Sequence, residues 1–332
     1  MQGAHRRRDH PDSRAWAVFP HRDRARTMKK LAVPPEADKM RLDLFLAGAL
    51  KCARTKAQAH VKAGLVRRAG AAMKPHAPVH AGDVLEIDPV AKAPASRAKL
   101  PELDILFEDD SLLVVNKPAG LLVHEAHPGD LSPTLADAAA KHAPKIRKVG
   151  EAGRHGIVHR LDKDVSGVIA IPKTQEMFEF LKAAFTNREL GKEYVALVYG
   201  KLPKDHDRIT FKIARSKSKG RMVARPESQE GKDAVTEYEV IARYKTVTLV
   251  KVTIETGRTH QIRTHFRAID HPVVGDTLYF KKRMKNIRPI EMDRLFLHAR
   301  RLEIPLPDGT RKAFKAPLPA ELEAVLKTLP TV

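Results

Sequence analysis

The segment Gly156-Ile157-Val158-His159-Arg160-Leu161-Asp162-Lys163-Asp164-Val165-Ser166-Gly167-Val168-Ile169-Ala170-Ile171 places acidic and basic side chains between two apolar runs. The runs, 156–158 and 167–171, have the composition of buried strands, so the polar residues between them predict a turn. A carboxylate held at such a turn, next to a basic residue such as Arg160, is a candidate nucleophile. The alternative is that Asp162 only caps the turn, a common arrangement after a strand.

The length and charge of the chain indicate a two-domain protein that binds a polyanion. Its 332 residues exceed the roughly 100–200 residues of a typical domain. Lys and Arg number 61 against 40 Asp and Glu, a net charge of +21, and each phosphate that such cations neutralise releases condensed counterions. No apolar run approaches the roughly 18 residues that a membrane span requires. We therefore expect a nucleic acid partner and no membrane association.

Cys52 is the only cysteine, which limits the chemistry open to the chain. It excludes a disulfide within the chain and a zinc site built from several cysteines of one chain. The lack of disulfides fits a reducing compartment, so we expect a cytoplasmic location. The single cysteine also argues against the zinc-dependent base deaminases, whose metal is held by a Cys-x-x-Cys pair. The spacing between His260 and His265 places them on different sides of a helix, which argues against a shared metal. We expect no metal ion and no organic cofactor.

The two ends of the N-terminal region are predicted to lack regular structure. Residues 1–36 are rich in Arg, His, Asp and Pro without helical or strand periodicity, so we predict a disordered basic tail. Met28 is an alternative start of translation. Residues 92–102 are small, polar and interrupted by proline, which predicts a linker.

Between the tail and the linker, residues 37–91 are predicted to form a small α+β domain. Apolar residues at helical spacing predict a helix over 40–50, and a second helix is predicted over 55–63. Short strands with glycine turns are predicted at 64–66 and 82–87.

Residues 103–332 are predicted to form the larger domain. Apolar runs at 105–107 and 112–115 flank an Asp-Asp-Ser turn and predict an antiparallel hairpin. Ser132 and Pro133 are predicted to cap and start a helix. Periodicity predicts another helix at 177–185 and further strands at 194–198, 234–240 and 247–254. Many strands and few helices favour an α+β fold with a central mixed, mostly antiparallel sheet flanked by helices.

The order His-Arg-Leu-Asp, then Ser-Gly, at 159–167 resembles the signature of the RluA-type RNA pseudouridine synthases. Four further segments agree with that family in the same order, at 116–120 with His124 downstream, 192–194, 256–265 and 296–299. Together they cover the chain from about Leu103 onward. One position departs from the family, because Val165 stands where a Thr usually precedes the Ser-Gly. The resemblance implies an isomerase that converts uridine to pseudouridine in RNA.

The resemblance assigns the catalytic role to Asp162. The reaction breaks the C1′–N1 bond and rejoins the base through C5, and a carboxylate can serve it without a cofactor by attack at C1′, by addition at C6 or as a base for elimination. The resemblance implies that Arg263 pairs with this carboxylate and offsets the cost of excluding water from it. It implies that Tyr194 stacks under an extruded base and that Arg160 fills the gap left in the RNA. Without the resemblance, Arg263 would be predicted to lie at the surface and Tyr194 in the core.

Further residues are expected to contact RNA. Near the catalytic motif these are His159, Arg160, Lys117, Arg258 and His260; in the basic stretch 212–221 they are Lys217, Lys219 and Arg221. The small domain is similar to the S4 RNA-binding domain in its Arg41-Leu42-Asp43 and Arg54-Thr55-Lys56 segments, which implies RNA contacts for Arg41, Arg54 and Lys56. The usual Asn-Gly of that domain is missing, and Ala69-Gly70 stands nearby. Charge runs such as these are otherwise solvated loops, and cations on a cleft can position RNA without reading its sequence.

Three alternatives remain open at this stage. A glycosidase or nucleoside hydrolase could use Asp162 and Asp164 as paired carboxylates, although that would not explain the positive charge. A non-catalytic RNA-binding or ribosome-assembly factor could retain the scaffold of a synthase. For a synthase, the expected RNA is large-subunit ribosomal RNA, with transfer RNA as the alternative. We expect a monomer.

Overall fold

The computed structural model describes residues 29–52, 54–62, 64–88, 100–126, 130, 132–150, 154–216, 220–280 and 289–331. The chain divides near residue 95 into two compact units, here called the small unit and the large unit. Most of the predicted tail, residues 1–28, and most of the predicted linker, residues 92–99, lie outside the described ranges. None of the described helices is long and apolar enough to cross a membrane.

The small unit combines two helices with an antiparallel sheet. Its elements are β1 (Lys29–Ala32), α1 (Leu42–Ala49), α2 (Arg54–Lys62), β2 (Val66–Arg68), β3 (Ala71–Ala72) and β4 (Val84–Ile87), and the strand order is β1-β4-β2-β3. Leu42, Phe45 and Leu46 of α1 are buried in its core, as their helical spacing predicted.

Strand β1 corrects the predicted end of the tail. Lys29–Ala32 pairs with β4 along its whole length, so the folded part begins before residue 37. The sequence Lys-Lys-Leu-Ala lacks an alternating pattern, and its strand conformation depends on hydrogen bonds from β4, more than fifty residues away in the chain.

The large unit is built on one large sheet. Its strands are β5 (Ile105–Glu108), β6 (Leu112–Lys117), β7 (Ser166–Pro172), β8 (Gly191–Tyr199), β9 (His206–Ile209), β10 (Lys212–Arg215), β11 (Met222–Arg225), β12 (Thr236–Arg243), β13 (Val247–Ile254), β14 (Leu297–Pro305) and β15 (Arg311–Lys315). In the described residues, the sheet has the order β5-β6-β7-β14-β8-β13-β12-β9, with β15 also paired to β14, while β10 and β11 form a separate hairpin. Only the β7–β14 pairing in it is parallel, so the predicted mixed, mostly antiparallel sheet is confirmed.

Both faces of the central strands are buried. Along β6, Leu113 and Val115 enter one apolar cluster. Leu112 and Val114 enter another on the opposite face. A strand covered on both faces has no polar side, which explains why this part of the sequence is a continuous apolar run without alternation.

Helices cover the two faces of this sheet. They are α3 (Leu135–His142), α4 (Gln175–Asn187), α5 (Gln261–Ala268) and α6 (Ala320–Thr328). The start of α3 differs from the prediction. Its N-cap is Thr134, whose hydroxyl accepts a hydrogen bond from the Asp137 backbone N–H at 3.1 Å, so the cap lies two residues after Ser132. Thr134 satisfies a free N–H of the first turn, the role that the sequence assigned to Ser132.

Gly167 is required where β7 meets β14. Its φ is +122°, and a Cβ built on it would lie 2.1 Å from the carbonyl oxygen of Ala299. Gly309 also has a positive φ, +83°, but a Cβ there would meet nothing within 4 Å. The parallel pair at the centre of the sheet therefore depends on the missing side chain of Gly167.

We expect Gly167→Ala to lower the free energy of unfolding of the large unit by about 3 kcal/mol, because strain at positive φ adds to an overlap that only backbone movement can relieve. Gly309→Ala is the matched control and should cost only the conformational strain, roughly 1 kcal/mol. Urea unfolding followed by far-ultraviolet circular dichroism would measure the free energy of unfolding of both variants. Equal losses in the two would show that the close approach to Ala299 is unimportant.

Candidate active site

The segment that carries Asp162 is fixed to the end of β6. The Lys117 ammonium is fully buried and donates hydrogen bonds to the carbonyl oxygens of Pro118, Leu121 and Lys163 at 2.8, 2.8 and 3.0 Å. The backbone N–H of Gly120 donates to the same Lys163 carbonyl at 2.9 Å. Because Lys163 follows Asp162 directly, these bonds fix the position of the carboxylate relative to the sheet.

Arg263 lies between two carboxylates. Its Nη1 is 3.3 Å from Asp162 Oδ2, while its Nε and Nη2 donate to Asp276 Oδ2 and Oδ1 at 2.7 and 3.0 Å. Arg263 is 6% exposed and Asp276 2% exposed. The two carboxylates raise the pKa of Arg263 above its usual value against the opposing effect of burial. The guanidinium is therefore permanently charged and held in one orientation by the bidentate contact with Asp276.

His260 is the second group next to Asp162. It is the N-cap of α5 in the left-handed conformation, with φ of 56°. Its Nε2 lies 3.8 Å from Asp162 Oδ2, and its Nδ1 is 3.0 Å from the Tyr279 hydroxyl. Burial lowers the pKa of His260, with the Asp162 charge opposing it. His265 is directed elsewhere, with Nε2 2.9 Å from the Phe211 carbonyl, so the two histidines do not meet.

Gln261 fixes the loop that precedes α5. Its side-chain oxygen accepts hydrogen bonds from the Thr256 hydroxyl and the Arg258 N–H at 2.7 and 3.0 Å. Its amide donates to the Val235 carbonyl at 2.8 Å. The loop and the start of α5 are thereby attached to the edge of β12, which places His260 and Arg263 side by side.

A cavity opens above Asp162. Its lining includes Asp162, Arg263, His260, Tyr194, Arg160 and Arg258, together with apolar residues such as Val165 and Leu297. Tyr194 comes from β8, where it lies opposite Val252 of β13 and Ala299 of β14. Burial and the Asp162 charge raise the pKa of Tyr194, so its hydroxyl stays protonated. The structure thus brings together the predicted residues Asp162, Arg263, Tyr194, Arg160, Arg258 and His260.

Two of the predicted RNA contacts are corrected by the structure. Lys117 was predicted to meet phosphate, but its ammonium is buried with three carbonyl partners, and burial lowers its pKa to about 7. His159 stacks on Phe185 with ring centroids 4.6 Å apart, and its Nε2 accepts a hydrogen bond from the Ala170 N–H at 3.0 Å. Burial lowers the pKa of His159 to about 3, so it carries no charge for a phosphate. Both side chains support the site from within.

The remaining predicted RNA-binding residues lie elsewhere. The Arg221 guanidinium lies 5.2 Å from the centre of the Tyr279 ring and bonds the Leu278 carbonyl. In the small unit, Arg41 and Arg54 are about half exposed and each pairs with the buried Asp43 at 3.0 Å. Lys217 and Lys219 lie outside the described residues, and α2 contains Lys56, whose side chain is likewise not described.

A second cavity, of about 800 Å³, is lined by segments on either side of β6 and by the start of α6. Its lining contains the acidic residues Glu102, Asp104, Glu291, Asp293 and Glu321. Acidic walls repel a polyanion, so this cavity is unsuited to RNA. Within the described residues, no group of three or more His, Cys, Asp or Glu side chains is arranged to hold a metal ion.

Comparisons with known proteins identify the family of this chain. A family model described as RNA pseudouridylate synthase matches residues 111–268. The RNA pseudouridine synthase YlyB of Bacillus subtilis is 35% identical over 87% of this chain and 94% of its own length. The chain belongs to the RluA-type RNA pseudouridine synthases. Another relative of this synthase, the ribosomal large subunit pseudouridine synthase D of Nitrosomonas europaea, is 35% identical over 90% of this chain and 87% of its own.

A solved structure supports the same family. The human RNA pseudouridylate synthase domain containing 1 matches with a TM-score of 0.54 and 26% sequence identity, covering 70% of this chain and 97% of that one. The predicted family, the α+β fold and the predicted enzyme class, an isomerase that acts on RNA, are therefore confirmed for this synthase.

Sequence reasoning missed three residues that organise the site of this synthase. Asp276 and Tyr279 were not singled out, and Gln261 was quoted within a motif without a role. Asp276 follows a short apolar run and a glycine, a signal that marks a turn but not its partner. What makes it important is the contact with Arg263, thirteen residues earlier, which no local pattern reveals.

We expect Asp276→Asn to lower the turnover of the synthase by about 100-fold, because Arg263 would lose its charged bidentate partner and shift relative to Asp162. Release of tritium from bulk RNA labelled at uridine C5 would measure the rate, since the new bond forms at C5. Asp270→Asn is the control, because Asp270 is 82% exposed and pairs with Arg267 at the surface. Similar rates in the two variants would contradict an orienting role for Asp276.

Proposed function

We propose that Asp162 is the nucleophile, or the eliminating base, with which this synthase isomerises a uridine turned out of the RNA. The observation that carries the proposal is the 3.3 Å contact between Asp162 and the buried Arg263 guanidinium at the floor of a cavity. A carboxylate that reacts with a sugar or a pyrimidine must stay charged after the substrate has displaced water. A fixed positive charge beside it provides that stabilisation in a site of low polarity.

The proposal assigns separate tasks to the other cavity residues. The Tyr194 ring provides a stacking surface for the extruded base, an interaction worth roughly 1–3 kcal/mol for any base. Its raised pKa supports this, because a protonated phenol adds no charge against the carboxylate. Arg160 is exposed at the rim of the cavity, where its guanidinium can enter the gap that the base leaves and offset part of the few kcal/mol spent on unstacking.

The geometry offers less support for a paired-carboxylate hydrolase. Asp276 contacts the same guanidinium as Asp162, but it is buried and both of its oxygens accept hydrogen bonds. Asp164 is exposed at the surface of the loop. A glycosidase requires its second carboxyl group free to act as acid or base across the substrate, and neither residue is placed to do so.

We propose large-subunit ribosomal RNA as the substrate. Relatives of 35% and 36% identity over 90% of this chain are named ribosomal large subunit pseudouridine synthase D, in Nitrosomonas europaea and Pseudomonas aeruginosa. This substrate would place the enzyme in the cytoplasm. The small unit is proposed to act as an S4-like RNA-binding domain, supported by Arg41 and Arg54, whose half-exposed guanidinium groups are oriented by the buried Asp43. Buried Asp43 keeps a depressed pKa, so these pairs persist at neutral pH.

We expect Asp162→Asn to lower pseudouridine formation by more than about 10⁴-fold, as removal of a nucleophile does in other enzymes, while RNA affinity stays close to that of the wild type. Asp164→Asn is the matched control in the same turn and should keep nearly full activity. Tritium release and filter binding on the same RNA would measure the two quantities. An active Asp162→Asn variant would exclude a covalent or basic role for this carboxylate.

The substrate is tested by mapping pseudouridines across total RNA from cells with and without the gene. We expect the lost positions to lie in large-subunit ribosomal RNA, and expression of Asp162→Asn should fail to restore them. Losses confined to transfer RNA would refute the proposed substrate and leave the catalytic assignment intact. An unchanged map would refute both.

A further inference from the structure

Lys192 lies next to the cavity but has no role in the proposed reaction. It is on β8 two residues before Tyr194, so both side chains project from the same face of the sheet about 7 Å apart along the strand. Its ammonium is half-buried, 6.0 Å from the centre of the Phe185 ring, with the Glu255 carbonyl at 3.4 Å as its hydrogen-bond partner. No carboxylate of the described residues lies within ion-pair distance of it.

Two cations without a carboxylate partner among the described residues lie in the electrostatic surroundings of Lys192. Arg188, at the C-terminal end of α4, and Arg258, in the loop before α5, both act on it electrostatically. Neither forms an ion pair with a described carboxylate; Arg258 donates to the Asp233 carbonyl at 3.1 Å. The neighbouring acids are already used, because Glu193 pairs with Arg301 and Glu255 with Arg208, each at 2.8 Å.

Such an arrangement is unfavourable in the free protein. Burial and the two arginines lower the pKa of Lys192 to about 8. Beneath it, the stacked rings of His159 and Phe185 provide no charge, because the pKa of His159 is about 3. Exposed cations can move apart and are screened by water. Lys192 is half-buried beside two like charges and has no counter-ion among the described residues. An anion bound at this point would remove the imbalance.

We propose that Lys192, Arg188 and Arg258 form a phosphate-binding subsite that holds the RNA backbone beside the nucleotide in the Asp162 cavity. The inference rests on the proposed function, since it takes that cavity to receive the target nucleotide. The three cations come from a strand, a helix end and a loop, and a bound phosphodiester would offset part of the repulsion between Lys192 and the two arginines. Contacts of this kind position RNA without reading its sequence. Arg258 is part of both the proposed subsite and the Asp162 cavity, whose lining includes it.

The test measures the affinity of a short, fluorescently labelled oligouridylate as a function of salt and pH. Between about 50 and 200 mM salt, Lys192→Met should lower the slope of log affinity against log salt by about 0.7, the value for one phosphate on a single strand. Affinity at the lower salt should fall by about tenfold. Lys192→Arg should keep the wild-type slope, because its charge is retained.

The pH dependence gives a second readout. Phosphate raises the pKa of Lys192 from about 8 in the free enzyme, so wild-type binding takes up a proton near and above that pH. Affinity is therefore full below about pH 8 and falls as the pH rises beyond it. Lys192→Arg should remove this decline above about pH 8.

The control is Lys251→Met on β13, since the Lys251 ammonium is already paired with Glu239. We expect the wild-type slope from it, and unchanged thermal melting from all variants. A wild-type slope in Lys192→Met, or an equal loss in Lys251→Met, would overturn the subsite. Tritium release from bulk RNA, measured in parallel, separates the two proposals: a wild type that forms no pseudouridine refutes the proposed function, whereas the oligouridylate slopes decide the subsite by themselves.

Discussion

The candidate active site depends on one buried guanidinium shared by two carboxylates. A charge with so little exposure persists only when its donors are all engaged and its charge is balanced. Asp276 provides the bidentate partner for Arg263, which leaves Nη1 for Asp162. This single cation connects α5, the loop before β7 and the segment around residue 276. The position of the Asp162 carboxylate is therefore a property of the whole large unit.

The sheet provides the rigid frame for this contact. β7 and β14 run parallel at its centre and approach so closely at Gly167 that no side chain fits between the strands. The Asp162 loop leads directly into β7, and Lys117 at the end of β6 holds it from the other side through the Lys163 carbonyl. A buried lysine with three carbonyl partners acts here as a structural crosslink, and burial lowers its pKa to about 7.

The positive charge of the synthase is unevenly compensated. Many surface cations are paired, such as Arg208 with Glu255 and Arg301 with Glu193. Around the Asp162 cavity, Arg160, Arg258 and Lys192 have no carboxylate partner among the described residues, whereas the larger cavity has acidic walls. This charge distribution favours an anion at the Asp162 cavity and disfavours one at the larger cavity, so the excess positive charge of +21 is unevenly distributed between the two.

The sequence by itself determined the features that arise from local patterns. Apolar periodicity predicted β13 over Val247–Ile254 with its observed bounds, and it predicted the hairpin of β5 and β6 and the helix α4. The motif around Asp162 identified the family, because the order of its residues is itself the signal. Only the tertiary structure decided that Lys117 and His159 are internal supports, that Lys29–Ala32 is a strand, and that Asp276 orients Arg263. Each of these depends on a partner that is distant in the chain or on burial from water, and a side chain's charge and availability are set by those surroundings rather than by its neighbours in sequence.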